Sequence, residues 1–176
     1  MNIKYWDVKT VLGDMLIAYN GDELVALELN KKNEDKLLVW LNDNFNKVEK
    51  KKEDIYFTDQ LDRYLKGEKI KFTYPIFMQG TKFQKNVWSE LLNIPYGEVR
   101  SYGYIAEKIG NSKAMRAVGM ANGKNPIPIV IPCHRVIGKD GKLVGYSGGL
   151  EYKIELLELE GHKIKYSRNG IAYIDG

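Results

Sequence analysis

Two dense apolar runs open the chain, Met15-Leu16-Ile17-Ala18-Tyr19 and Leu24-Val25-Ala26-Leu27-Glu28-Leu29, on either side of Asn20-Gly21. Asn and Gly both tolerate positive φ, so the pair predicts a hairpin, and the first 30 residues read as a β-meander. The period then lengthens. Over residues 34–45, Leu37, Leu38, Trp40 and Leu41 share one helical face. A second helix is predicted to begin after Thr58 and to close at Gly67, ahead of a strand-like Lys69-Ile70-Lys71-Phe72. Lys47, Lys50, Lys51 and Lys52 are interleaved with acids and read as a solvated loop.

The pattern turns helical after a boundary near residues 74–80, which gives two expected domains, 1–80 and 81–176. Thr81 and Gln84 have capping-box spacing. Phe83, Val87, Trp88 and Leu91 follow at helical intervals until Ile94-Pro95 ends the run. Ser101 is placed to cap a helix over 102–109 that Gly110 closes, and Ser112 to cap another running to Asn122. Helix, short turn, helix is the helix-turn-helix plan, in which the second helix is the recognition element. That second helix carries the small residues Ala114, Ala117, Gly119 and Ala121, with Arg116 among them. Small residues allow close approach to a ligand surface, but tight helix packing prefers them equally. A last helix is predicted over 151–160, with Ile154, Leu156, Leu157 and Leu159 apolar and Gly161 as its stop.

Composition narrows the class. Of 176 residues 44% are apolar, enough for a sizeable core in one or two domains. No apolar run reaches the length of about 18 residues that a membrane helix requires, and Met1–Asp7 lacks a signal peptide's apolar centre. One cysteine makes no internal disulfide, and with His134 and His162 it has no zinc-ligand spacing, so a reducing cytoplasm and no metal are expected. Charge is uneven: residues 1–80 hold 13 Lys/Arg against 14 Asp/Glu, and residues 81–176 hold 14 against 9. The basic surplus sits in the half that carries the cysteine, as a polyanion partner would require.

The candidate chemistry lies in Pro126-Ile127-Pro128-Ile129-Val130-Ile131-Pro132-Cys133-His134-Arg135-Val136. Three prolines exclude a regular helix, and the branched residues favour an extended, buried run. A lone cysteine ordinarily serves as a small buried hydrophobe. Here an imidazole follows the thiol directly, which suits an activated sulfur nucleophile. Neighbours on an extended chain point to opposite faces, so a bridging water would join Cys133 to His134, and a carboxylate would orient the ring. Glu160, in the last turn of its helix, is a candidate; Lys163 or Arg168 could neutralise it equally well.

Pro-Cys-His-Arg-Val, with Lys113-Ala114-Met115-Arg116-Ala117-Val118-Gly119 and Leu156-Leu157-Glu158-Leu159-Glu160-Gly161-His162, resembles the O6-alkylguanine-DNA alkyltransferases over most of residues 81–176. The resemblance implies an α/β ribonuclease-H-like N-terminal domain and a mainly α, winged-helix (helix-turn-helix) C-terminal domain. It implies stoichiometric, irreversible transfer of the alkyl group from O6-alkylguanine, and by extension O4-alkylthymine, to Cys133, without cofactor or metal. The partner is then double-stranded DNA, met through the minor groove by a cytoplasmic monomer that binds no membrane.

By the same resemblance, Arg116 fills the gap left by an extruded nucleotide and Tyr102 crowds the adjacent phosphate. Lys113, Ala114 and Ala117 line the DNA-facing helix. Glu160 is the relay carboxylate, and Asn125 is the hinge between recognition helix and active-site segment, although Asn-Pro is also a common turn start. Tyr146 and Ser147 lie on a lid over the base, in a pocket completed by Val136 and Pro128. Asn122 takes a pocket-side position that is apolar in some relatives. His162 is expected at the surface. Two other readings stay open on residues alone: a winged-helix regulator with an oxidant-sensing cysteine, and a cysteine hydrolase. A non-catalytic lesion binder of the same family would lack the cysteine.

Overall fold

A computed structural model describes residues 1–53 and 55–174. The chain forms two compact units, Met1–Gln79 and Gly80–Gly176.

In the first unit, β1 (Asn2–Thr10), β2 (Gly13–Asn20) and β3 (Glu23–Glu28) make the meander. The hairpin loop is Gly21-Asp22, one residue later than Asn20-Gly21, because Asn20 pairs with Glu23; Gly21 supplies the positive φ of 57°. After α1 (Glu34–Asn44), the chain adds β4 (Lys47–Lys50) parallel to β1, giving the order β3-β2-β1-β4. The first part of the lysine-rich segment expected as a loop, Lys47–Lys50, is therefore an edge strand, and Lys51 and Lys52 follow outside it. Its charges face outward and find acids, as in Lys50 Nζ to Glu34 Oε1 at 2.7 Å, and a charged edge resists further pairing.

One sheet face, with Ile3, Tyr5, Leu16, Ala18 and Val25, packs on Leu37 and Leu41 of α1. The next helix, α2 (Phe57–Leu65), lies against β1 and buries Phe57, Leu61, Tyr64 and Leu65. It starts one residue before Thr58, whose hydroxyl donates instead to Ile55 O. Lys69–Phe72 is not a strand. Phe72 leaves any ladder to stack on Phe57 and Tyr64, at 5.9 and 5.4 Å between ring centres, and the edge of β3 is bridged by Ile76.

The second unit begins with α3 (Lys82–Leu91), opened by the expected capping box: Gln84 N donates to Thr81 Oγ1 and Thr81 N to Gln84 Oε1. A short β5 (Arg100–Ser101) leads into α4 (Tyr102–Lys108), capped by the Ser101 hydroxyl. The following helix, α5 (Met115–Gly123), starts later than Ser112 predicts. Ala114 N bonds to Asn111 O, so 111–114 is a turn, and Ala114 precedes the helix without a side-chain cap. Helices α3, α4 and α5 pack on one another, and Trp88 Nε1 donates to Ala121 O at 2.9 Å.

Residues 126–132 are not extended. They turn, with Ile131 N bonded to Ile127 O, and Cys133–Arg135 forms one 3-10 turn before β6 (Val136–Ile137), which pairs parallel to β5. Prolines exclude a long helix but permit a sequence of tight turns. The chain ends its described part with α6 (Leu150–Leu159) and an unforeseen hairpin, β7 (Ile164–Tyr166) and β8 (Ala172–Ile174). Among the described residues no helix is long and apolar enough to cross a membrane.

Candidate active site

The Pro-rich turn sets the sulfur. Ile129 takes φ +73°, a conformation that disfavours a branched side chain and costs about 1–3 kcal/mol. Asn125 holds the turn from both sides: its Nδ2 donates to Ile131 O at 2.8 Å, and its Oδ1 accepts from Ile127 N at 3.0 Å. Asn122, buried on α5, donates to Cys133 O at 3.2 Å. Two asparagines thus tie the end of α5 to the cysteine segment.

Cys133 is 1% exposed, and its Sγ donates to the Tyr146 hydroxyl at 3.8 Å. Burial pushes the thiol pKa up; hydrogen bonds from Asn125 and Tyr146 and the charge of Lys153 pull in the other direction. A thiol so enclosed does not suit an oxidant sensor, which needs an exposed thiolate.

On the same 3-10 turn, His134 and Arg135 both reach Glu160, which caps the C-terminus of α6. His134 Nε2 lies 2.9 Å from Glu160 Oε1, with both side chains wholly buried. Arg135 approaches as a fork, Nε to Oε2 at 2.9 Å and Nη2 to Oε1 at 2.8 Å, while its Nη1 donates to Ile94 O. Gly97 N adds a bond to Oε2 at 3.1 Å. That approach needs glycine: Gly97 has φ +77°, and a Cβ there would stand 3.3 Å from Glu160 O.

Burial alone would raise the Glu160 pKa, but the bonds from His134 and Arg135 outweigh it and hold the carboxyl far below its ordinary range. Burial lowers the His134 pKa, against the pull of Glu160, so the imidazole rests neutral and able to accept a proton. The Cys133–His134 geometry differs from the extended-chain expectation, because a 3-10 turn separates successive side chains by a third of a rotation.

Tyr102 stands half-buried at the start of α4, with its hydroxyl 3.2 Å from Val144 O and its ring against Gly119. Tyr146 is half-buried and Ser147 exposed on the Gly145–Gly149 loop; Val136 is buried in β6 and Pro128 half-buried. Arg116 is exposed and lines a surface cavity of about 340 Å³ with Ser101, Tyr102, Met115, Gly119 and Lys139. Lys113 and Ala117 are exposed beside it, with Ala114 half-buried. His162 is half-buried with Nε2 enclosed, not a surface residue, because the turn after α6 folds back through His162 N to Leu157 O.

Two residues had no assigned role in the sequence. Arg135 was visible in the motif, yet only the fold brings it to Glu160. Lys153 is wholly buried, and its position three and four residues before Leu156 and Leu157 marks the inward face of α6. No group of His, Cys, Asp or Glu among the described residues could hold a metal ion.

Comparison with known proteins agrees with both units. Residues 3–77 match the family "6-O-methylguanine DNA methyltransferase, ribonuclease-like domain", and residues 82–162 match "6-O-methylguanine DNA methyltransferase, DNA binding domain". A methylated-DNA–protein-cysteine methyltransferase of Mycobacterium leprae is 46% identical over 154 residues, spanning 87% of this chain and 89% of the relative. One from Methanosarcina barkeri is 43% identical over 164 residues, spanning 92% and 99%. The crystal structure of Mycobacterium tuberculosis OGT in complex with DNA superposes with a TM-score of 0.77 at 42% identity, covering 89% of this chain and 92% of that one.

Proposed function

The chain belongs to the O6-alkylguanine-DNA alkyltransferase family, and on that premise we propose that Cys133 is the alkyl-accepting residue of its reaction. The protein is a methylated-DNA–protein-cysteine methyltransferase that repairs O6-alkylguanine in DNA by transfer to a cysteine. The observation that carries the assignment is the buried pair that Glu160 makes with His134, the residue next to the chain's single cysteine on the 3-10 turn.

The thiol proton passes through a water to His134 Nδ1, since Nε2 is engaged by Glu160. The carboxylate stabilises the imidazolium that forms. Sγ then bonds the alkyl carbon as the carbon–O6 bond breaks, and the electron pair stays on the guanine. His134 returns the proton, so the products are neutral guanine and a Cys133 thioether. A thioether has no leaving group for water to displace, so each molecule acts once.

Helices α4 and α5 serve as a helix-turn-helix, with a winged-helix arrangement completed by the strands that follow. Presented to the minor groove of double-stranded DNA, α5 and the turn before it bring Lys113, Ala114 and Ala117 to the backbone, and Arg116 fills the gap in the stack. Tyr102 helps to rotate the lesion outward, an extrusion costing a few kcal/mol and less for a base already mispaired by alkylation. Tyr146, Ser147, Val136 and Pro128 receive the base, and Asn125 keeps α5 in register with the sulfur. O4-alkylthymine fits the same chemistry. The protein acts as a monomer in the cytoplasm.

Intact mass after incubation with O6-methylguanine DNA tests this. One methyl group per molecule on Cys133, and none on Cys133→Ala, is the expected result. Turnover well beyond one lesion per molecule, or label elsewhere, overturns it.

A further inference from the structure

The two asparagines that tie α5 to the cysteine segment are used unequally. Asn125 is engaged at both ends, with Nδ2 on Ile131 O and Oδ1 accepting from Ile127 N. Asn122 gives its Nδ2 to Cys133 O at 3.2 Å, and its Oδ1 meets no donor among the described residues. The residue is only 2% exposed, so that oxygen is shut off from bulk solvent. The two ends of the amide are not interchangeable: turned over, it would set Oδ1 against Cys133 O, acceptor against acceptor.

A buried acceptor left empty gives up its hydration and gains nothing in return, so such atoms are few in proteins and call for a cause. Holding Cys133 O needs a donor only; the acceptor is surplus to that task. Its place narrows the partner. Oδ1 shares its carbon with Nδ2, so it stands beside the main chain of Cys133, the residue whose Sγ must come within bonding distance of the alkyl carbon. Chemistry narrows it further. Alkylation at O6 strips guanine's N1 of its proton, and N1, N3 and N7 are then acceptors. In DNA the exocyclic amine on C2 is the one N–H donor that O6-alkylguanine retains.

We propose that Asn122 is a base-recognition residue, its Oδ1 accepting a hydrogen bond from the C2 amine of the extruded O6-alkylguanine. The proposal rests on Cys133 being the alkyl acceptor. C2 and C6 flank N1, so a base whose O6 alkyl carbon meets Sγ carries its amine one ring position away, toward the main chain of the same residue. Nδ2 stays on Cys133 O throughout. One amide thus fixes the nucleophile's segment with one end and reads the base with the other. Such a contact selects by penalising the wrong ligand: a purine without the amine leaves Oδ1 empty in a pocket closed to water. An apolar side chain at this position would give contact area without that choice.

The test uses free O6-benzylguanine and 6-benzyloxypurine, which differ only in the C2 amine and need no extrusion from a duplex. Rates of Cys133 benzylation, followed by intact mass and corrected for each compound's reaction with a free thiol, are compared in the wild type and Asn122→Leu. The wild type should favour the guanine by about tenfold or more, and Asn122→Leu should lose about tenfold of that preference. An Asn122 that serves only to hold Cys133 O would slow both compounds alike, so an unchanged ratio overturns the proposal. Should Asn122→Leu not fold, the wild type decides: a preference for the amine supports the proposal, and equal corrected rates overturn it. Label on Cys133 at one rate from both compounds keeps the alkyl-acceptor reading and sinks this one, whereas no label from either sinks both.

Discussion

Arg135 grips the Glu160 carboxylate side-on, Nε 2.9 Å from Oε2 and Nη2 2.8 Å from Oε1, while the neighbouring His134 takes the same Oε1 at 2.9 Å. One buried carboxylate therefore serves two tasks. It orients an imidazole, and it cross-links the cysteine turn to the end of α6. The macrodipole disfavours a negative charge at a helix C-terminus, and Arg135, not Lys163 or Arg168, is the cation that offsets it.

Arg135→Met should lower stability by about 3–5 kcal/mol, the cost of leaving one member of a buried ion pair behind. Urea unfolding measures this. A variant as stable as the wild type would mean that Gly97 and His134 satisfy the carboxylate by themselves.

Glu160→Gln should slow single-turnover alkylation at neutral pH, and raising the pH should recover part of the loss. Without the carboxylate, His134 takes the thiol proton less readily, so less thiolate is present. The same variant should also lose stability, because it strands Arg135. Profiles that match wild type at every pH would place the activating group elsewhere.

Stability should fall on acidification in two stages. The His134 pKa is lowered by burial, so the unfolded chain binds this proton more readily, and stability declines as the pH drops below about 6.5. Glu160 is held far below its ordinary value, so its contribution is complete above about pH 4.5 and is lost below that. Thermal unfolding from pH 3 to 8 reports both. Removing His134 by substitution should erase the upper stage and shrink the lower one, since His134 is one of the groups that hold Glu160 low.

Arg116→Ala should slow repair of duplex DNA far more than reaction with free O6-benzylguanine. Arg116 is exposed beside the cavity edged by Tyr102 and Gly119, away from the buried relay. A free base presents no gap in a stack for it to fill. Equal losses with both substrates would make Arg116 a structural support.

Cys133→Ser should bind DNA about as tightly as wild type, since a thiol 1% exposed makes no phosphate contact. Its affinity should drop steeply with salt, as counterion release dictates. Titrations at two or three ionic strengths suffice, and a flat response would contradict the basic-surface reading.

The sequence by itself determined what depends on local chemistry: the capping box at Thr81 and Gln84, the apolar stripe of α6 and the motif around Cys133. Capping and periodicity act within a turn or two of chain, so single residues reveal them. It misjudged what depends on distant partners. Lys47–Lys50 became a strand because β1 offered an open edge, and Phe72 left its ladder because Phe57 and Tyr64 offered rings. The Pro-rich run turned because Asn125 satisfies its main chain from both sides. At the site, sequence supplied Cys133, His134 and Glu160, but only tertiary structure put Arg135 on Glu160 and sealed Lys153 against the Val136 and Val144 carbonyls. Burial is a property of the whole packing, and it decides whether a charged side chain is solvated ornament or part of the reaction's field.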